Sequence, residues 1–380
     1  MNELLTKGIG HTEFKDSPVG KIPVGWEVKK FGECVERFYQ GINTVADKVV
    51  YERKGIPILQ AKHITSGYIS IGGAKFVSQV DFAIYKDKYN PRKGDVLLTN
   101  IGTIGKTVLV QEDEELLIAW NVFLIGVNDK VQSKFLNYYL QRLDGLNFYE
   151  NLMTGNATKF VNKTSLSEIE ILSPPLPEQQ KIASILTSVD EVIEKTQSQI
   201  NKLQDLKKGT MNELLTKGIG HTEFKDSPVG KIPVEWEVVL LSDYIEVLTD
   251  YHSNGSYEVL KKNVTLLNSP DYAVIIRTTN FEKKDFDNFI YLSKESYEFL
   301  KKSKVLANDI LMNKIANPGV SYLMPKLNMP VSLGMNLFLI RVSTQVSAQY
   351  FYYYLKKNEN YVKSFASGTG TETITKQDVR

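Results

Sequence analysis

The chain of 380 residues carries 46 Lys and Arg against 44 Asp and Glu, a formal net charge of +2. So even a balance excludes a polycation that holds nucleic acid by bulk charge, and any recognition must come from local surfaces. Cys34 is the only cysteine, which excludes an intrachain disulfide framework. With no leader-like apolar run at the N-terminus and no stretch near the roughly 18–20 apolar residues of a bilayer span, the expectation is a soluble cytoplasmic protein without membrane contact.

The first element is a repeat. Met1 opens MNELLTKGIGHTEFKDSPVGKIPV, and the same letters return at Met211. The match continues through Trp26/Trp236, Glu27/Glu237 and Val28/Val238, with Gly25 replaced by Glu235 between them. Two units are therefore expected, with residues 1–21 a connector that forms the tail of a helical segment. Residues 22–173 read as a first globular domain. GIPILQAKHI, GDVLLTNIG and NVFLIGV have the β-branched, apolar content of buried strands, whereas SKFLNYYLQRL has helical spacing.

Residues 174–220 change period. Pro174, Pro175 and Pro177 end the preceding strand, Pro177 suits a first helical turn, and Glu178 suits the positive end of the helix dipole. Ile182, Leu186, Val189, Ile193, Thr196, Ile200 and Leu203 then follow a 4,3 spacing, the seam of a coiled coil, widened by Ile185, Val192 and Leu206. A single helix packed on a domain is the alternative. Gly218 and Gly220 stop a rod on the order of 60 Å long. Connector residues 221–231 lead into a second domain, 232–380, whose YAVIIRTTN, NDILMNKIANPG, NLFLIRV and AQYFYYYLKK repeat the order of the first with little identity. The fold class is α+β: two strand-rich mixed domains joined by a long coiled-coil-type helix.

A constant frame with two divergent inserts suits a modular reader. The chain resembles the specificity subunits of type I restriction-modification systems, and the residues that carry the resemblance are PPLPEQQKIASIL, KGDVLLTNIGTIGK, TGNATKFVNKTSL and GIPILQAKHI, with NDILMNKIANPG and SGTGTETITKQDV in the second half. The resemblance implies two target-recognition domains reading the halves of a bipartite double-stranded DNA site, with a helical rod setting their spacing and docking methyltransferase subunits. It also implies restriction subunits as partners, with S-adenosylmethionine, ATP and Mg²⁺ on those partners and none on this chain. By the family pattern a second conserved helix is absent. The unpaired seam of Ile182, Leu186, Val189, Ile193, Ile200 and Leu203 then implies possible self-association.

Candidate DNA-contacting residues are polar and basic side chains beside apolar strands. Gln60, Lys62 and His63 align with Arg277, Thr278 and Asn280; Asn100, Thr103 and Lys106 with Asn313, Lys314 and Asn317; Asn156, Thr158 and Lys159 with Thr369, Thr371 and Lys376. Amide and guanidinium groups can contact base edges in pairs of hydrogen bonds, and lysines can position phosphates. An ordinary solvated loop explains each residue equally well.

Other motifs carry less. NIGTIGKT lacks the first glycine of a phosphate loop, where Asn100 stands. His11, His63, His221 and His252 have no metal-ligand spacing. Asp271, Glu282 and Lys284 fit the loose pattern of a Mg²⁺-dependent nuclease, but the first domain has no counterpart. The chain is therefore expected to be non-catalytic, with that nuclease and a coiled-coil protein scaffold as the rival readings.

Overall fold

The computed structural model describes residues 1–155 and 158–379. Its backbone contacts divide it into two units, Met1–Ser198 and Gln199–Arg380, and the division falls inside the long helix.

The first unit is built on a four-stranded antiparallel sheet in the spatial order Val35–Gln40, Val122–Val127, Val96–Thr99, Thr107–Leu109. The four residues of Val96–Thr99 are all buried, so this sheet is a middle layer rather than a surface one. Because successive side chains of a strand point to opposite faces, Val96, Leu98, Phe123 and Ile125 enter one core, while Leu97, Val122 and Leu124 enter another. The first core is closed by the helix Ser133–Gly145 and by Trp26, Phe31, Ile182 and Leu186. The second meets Leu59 and Ile118, which belong to a small three-stranded sheet of Lys75–Val77, Ile56–Leu59 and Leu117–Ile118.

The second unit repeats this plan. Ile245–Asp250, Leu337–Val342, Ile310–Asn313 and Ser321–Leu323 form the middle sheet. Ile310, Met312, Phe338 and Ile340 face the helix Ala348–Lys357, while Leu311, Leu337 and Leu339 face Val274 and Ile276 of a five-stranded second sheet. In both units one pair of strands in the sheet beyond the middle one runs parallel, Ile58 beside Leu117 and Val274 beside Val331. The strand and helix runs read from sequence are thus present in both halves.

One internal ion pair is built differently in the two units. Asp95 is 5% exposed and accepts from Arg37 at 2.7 Å. Asp309 is 3% exposed and accepts from Arg341 Nε at 2.8 Å and Nη2 at 2.6 Å. Arg37 lies on the edge strand opposite Gly126, and Arg341 lies on the central strand opposite Val247. The guanidinium has changed strands while the carboxylate has stayed. Gly126 leaves the room, since a Cβ there would stand 2.8 Å from Asp95 Oδ1. Burial raises the Asp95 carboxyl above its ordinary value, even though Arg92 N and Arg37 pull the other way.

Leu176–Lys217 is one helix of 42 residues, about 63 Å long at 1.5 Å per residue. Gly218, at φ 67, ends it and donates to Leu214 O at 3.2 Å. Its apolar seam serves two purposes. Ile182 and Leu186 are buried at 0% and 5% exposure in the first unit's core, as the packed-helix alternative expects. Val189, Ile193, Ile200 and Leu203 are 42–64% exposed and leave an open stripe. A seam pattern cannot distinguish a globular core from a partner helix, because both need the same spacing.

The helix head also holds the first connector. Glu178 Oε1 accepts from Ile9 N at 3.1 Å and pairs with His11 Nε2 at 2.8 Å, while Oε2 accepts from the buried Trp26 Nε1 at 2.8 Å. Just before it, Glu170–Ser173 pairs antiparallel with Glu27–Lys30.

Candidate nucleic-acid interface

In each unit three separated segments meet at one end of the middle sheet. In the first unit the meeting point is Asn121, at the start of the central strand. Its Oδ1 accepts from Ala61 N at 3.2 Å and its carbonyl accepts from Asn100 N at 3.3 Å. Asn100 in turn takes Val161 N on its carbonyl at 2.9 Å and donates from Nδ2 to Val161 O at 3.4 Å. The segments around Gln60, Asn100 and Thr158 are therefore brought together, with the exposed Trp120 and the Gln40 amide, which donates to Trp120 O at 2.8 Å, beside them. Asn156 lies outside the described residues.

In the second unit Asn336 plays the same part. Its carbonyl accepts from Lys314 N at 3.0 Å, Ile374 N donates to Lys314 O at 2.9 Å, and Thr278 Oγ1 donates to Asn313 Oδ1 at 3.1 Å. The segments around Arg277, Asn313 and Thr369 are joined there. The register refines the sequence alignment by one residue: Thr99 faces Val122 as Asn313 faces Leu337, so Lys314, not Asn313, stands where Asn100 does. Likewise Phe160 and Thr373 occupy matching bridges with Thr154 and Ser367. Lys163, not Lys159, is therefore the counterpart of Lys376.

The candidate side chains divide by accessibility. Lys62, Thr103, Thr158, Lys159, Arg277, Asn317, Thr369 and Thr371 are exposed, and Gln60, Lys106, Thr278, Lys314 and Lys376 are partly so. His63 and Asn280, at 2% exposure each, are turned inward. Each is the third residue of a short helix and holds the residue just before that helix: Gln60 N donates to His63 Nδ1 at 2.9 Å, and Arg277 N to Asn280 Oδ1 at 3.0 Å. Asn280 Nδ2 is also spent, on Asp285 O and Asn288 O. These two residues are brackets for the loop and cannot reach a base edge as placed. Burial, followed by the Lys62 ammonium, lowers the His63 pKa and keeps the ring neutral. Asn100 and Asn313, at 1% and 2% exposure, are equally committed to the interior.

Several lysines are also engaged. Lys106 Nζ pairs with Asp144 at 2.6 Å. Lys314 and Lys376 both pair with Asp250, at 3.1 and 3.2 Å. Burial would raise the Asp250 carboxyl, but Ser253, Lys314 and Lys376 outweigh it and hold the pKa at about 2. Gln40 stands at that register position in the first unit, opposite Phe123 as Asp250 is opposite Phe338. The two ends thus share a framework and differ in charge.

Residues 23–205 match the model of the type I restriction modification DNA specificity domain. A chain named as the specificity subunit of the type I restriction enzyme MjaX, from Methanocaldococcus jannaschii, is 28% identical over 380 residues, covering 96% of this chain and 84% of that one. Residues 23–205 thus match the type I restriction-modification DNA specificity domain, and the chain as a whole is similar to type I specificity subunits. A second relative, the MjaVIII specificity subunit of the same organism, is 29% identical over 241 residues, and the match spans about half of its length, 52%. In fold, the chain is similar to one in a structure of a type I system's complex assembly and conformational transition. The TM-score there is 0.50 at 17% identity, covering 94% of this chain and 84% of the other.

The rival nuclease set is not assembled: Asp271 precedes the strand Ala273–Ile276 and Glu282 follows it, so roughly 13 Å of extended backbone separates them. Among the described residues no group of three His, Cys, Asp or Glu side chains could hold a metal ion. No helix among them is long and apolar enough to cross a membrane.

Sequence reasoning passed over Asn121, Asn336, Gln40 and Trp120. The signal for the two asparagines was available, since each opens an aligned strand, NVFLI and NLFLI. Trp120 and Gln40 carry no such mark, because their place at the site comes from strand register alone.

Proposed function

We propose that each unit reads one half of a bipartite double-stranded DNA target with the strand-end surface around Asn121 or Asn336. The observation that carries this reading is the convergence, in both units, of three sequence-distant polar segments on one equivalent sheet end, held by hydrogen bonds of the main chain and of inward side chains while their outward side chains differ. Arg277, Lys62, Thr103, Asn317, Thr369 and Thr371 have the exposure to meet bases or phosphates, and Trp120 offers a flat apolar contact. Lys376, the more exposed lysine of the Lys314–Asp250–Lys376 cluster, can exchange its carboxylate partner for a phosphate.

The long helix serves as the spacer and as the docking element for methyltransferase subunits, with its open stripe from Val189 to Leu203 available to a partner helix or to a second copy of the chain. Restriction subunits complete the assembly in the cytoplasm. S-adenosylmethionine, ATP and Mg²⁺ belong to those partners.

The test is selection from randomised DNA by the assembled methyltransferase complex. Arg277→Ala relaxes discrimination in one half-site by about 1–3 kcal/mol and leaves the other untouched. Equal loss in both half-sites refutes separate readers. A seven-residue insertion after Gln199 lengthens the helix by about 10 Å and widens the preferred gap by up to about three base pairs. An unchanged gap at full affinity refutes the spacer role.

A further inference from the structure

One turn recurs in both units with the same hydrogen bonds and the same kind of tip. In the first, Ala119 N donates to Leu59 O at 2.8 Å and Val122 N to Ala119 O at 2.9 Å. In the second, Gly334 N donates to Ile276 O at 2.8 Å and Leu337 N to Gly334 O at 3.4 Å. Trp120-Asn121 and Met335-Asn336 are therefore the central pairs of equivalent turns. The second member of each pair is the asparagine on which the polar segments converge. The first is a large apolar side chain left in the open, Trp120 at 45% and Met335 at 50% exposure.

The turn itself gives no reason for such a residue, because its central positions favour proline, glycine and small polar side chains. One exposed apolar side chain is ordinary, but two at the same position of divergent units point to a shared cause. The mount beneath them is firm. Trp120 N donates to Ile42 O at 2.9 Å and Gln40 Nε2 to Trp120 O at 2.8 Å, while Asn100 N and Lys314 N donate to the carbonyls of Asn121 and Asn336 at 3.3 and 3.0 Å. The segments joined there carry cations for a polyanion to meet: Lys62, Lys106 and Lys159 in the first unit, and Arg277, Lys314 and Lys376 in the second, where Asp250 offsets part of the charge.

We infer that Trp120 and Met335 are apolar wedges, each entering the base stack of its own half-site and parting one base step. The inference rests on the DNA-reading proposal above and adds the chemistry of this contact. Once the cations hold the phosphates, an apolar tip has base faces and sugars left to meet. The polar letters beside the two tips differ, whereas the apolar character of the tips does not. Such a contact suits the stack, which every sequence presents, better than a base edge, which changes with the target. Steps that open easily, pyrimidine followed by purine, are then preferred without any hydrogen bond to them.

The test uses the assembled methyltransferase complex and the half-sites returned by selection, the one that Arg277→Ala relaxes being the second unit's. 2-Aminopurine, which brightens when unstacked, replaces each adenine in turn. The expected result is a fluorescence rise beside one step in each half-site. Trp120→Ala abolishes the rise in the first half-site only and Met335→Ala in the second only, each weakening binding about tenfold, while Trp120→Phe and Met335→Leu keep most of the signal. Selection with either alanine variant returns the same half-site sequences. A rise that survives both alanine variants belongs to base flipping by the methyltransferase and overturns the wedge. A flat signal throughout a selected site overturns it as well. If deoxyuridine in place of thymine weakens the wild type as much as Trp120→Ala does, and leaves Trp120→Ala itself indifferent, the contact is with a thymine methyl group and the wedge is again overturned. Selection that returns no sequence from the wild-type complex refutes the DNA reading itself, and so is told apart from a flat signal on a selected site.

Discussion

The carboxylate that keeps its place while its guanidinium changes strands makes a strong test of the packing argument. Arg341→Gly removes both hydrogen bonds to Asp309, whose side chain is 3% exposed and retains the Leu306 amide at 2.7 Å. Breaking a buried ion pair from one side costs about 3–5 kcal/mol, because a charge stays buried without its partner. Arg341 is 26% exposed, so water reaches part of the gap and about 2–4 kcal/mol is the better expectation. The first unit supplies the remedy: Val247 faces Arg341 as Arg37 faces Gly126, so Val247→Arg with Arg341→Gly rebuilds the first unit's arrangement inside the second. The double variant should recover at least half of the loss. Native-state hydrogen exchange read by mass spectrometry separates the peptides of the two units and gives the free energy of each. A double variant no more stable than Arg341→Gly alone refutes the equivalence of the two registers. A single-variant cost below about 0.5 kcal/mol refutes the pair's contribution.

Further expectations follow from other contacts. The Asp250 carboxyl, at about 2 against an ordinary 3.8, contributes about 2 kcal/mol that is fully present above pH 4 and is lost as pH falls toward 2; Asp250→Asn should flatten acid unfolding of the second unit in that window. Ile182→Ala or Leu186→Ala should lower stability by about 2–4 kcal/mol, whereas Ile193→Ala or Leu203→Ala should stay within about 0.5 in thermal unfolding, since only the first pair is buried. Glu178→Ala strands the buried Trp26 indole and should cost about 2–3 kcal/mol in urea unfolding, with Glu178→Gln intermediate. Asn280→Ala should destabilise the second unit by about 1–3 kcal/mol, while Arg277→Ala leaves its melting unchanged.

The layered fold was legible in the sequence where one chemical demand had one solution. NVFLIGV and NLFLIRV announce buried strands because few other structures bury so continuous an apolar run, and the Pro-Pro-Leu-Pro-Glu start announces the helix. What stayed hidden depends on register. The role of His63 and Asn280 as inward brackets follows from a single helical turn whose direction no composition reveals. The seam of the long helix was readable as apolar but not as divided, because Ile182 and Ile193 carry the same signal until a neighbouring core is known. The one-residue offset between Asn100 and Asn313 arose from aligning identical letters, and the pairing with Val122 and Leu337 decides otherwise.

The inward brackets have a consequence for engineering. In each loop the main chain just before the short helix is held by the buried third residue of that helix, so the letters facing outward bear little responsibility for the loop's shape. Randomising Lys62 with Gln60, or Thr279 with Arg277, while leaving His63 and Asn280 fixed would vary the presented chemistry on an unchanged mount. A library built that way keeps most of its members folded, and it explores new targets without reopening the folding problem each time.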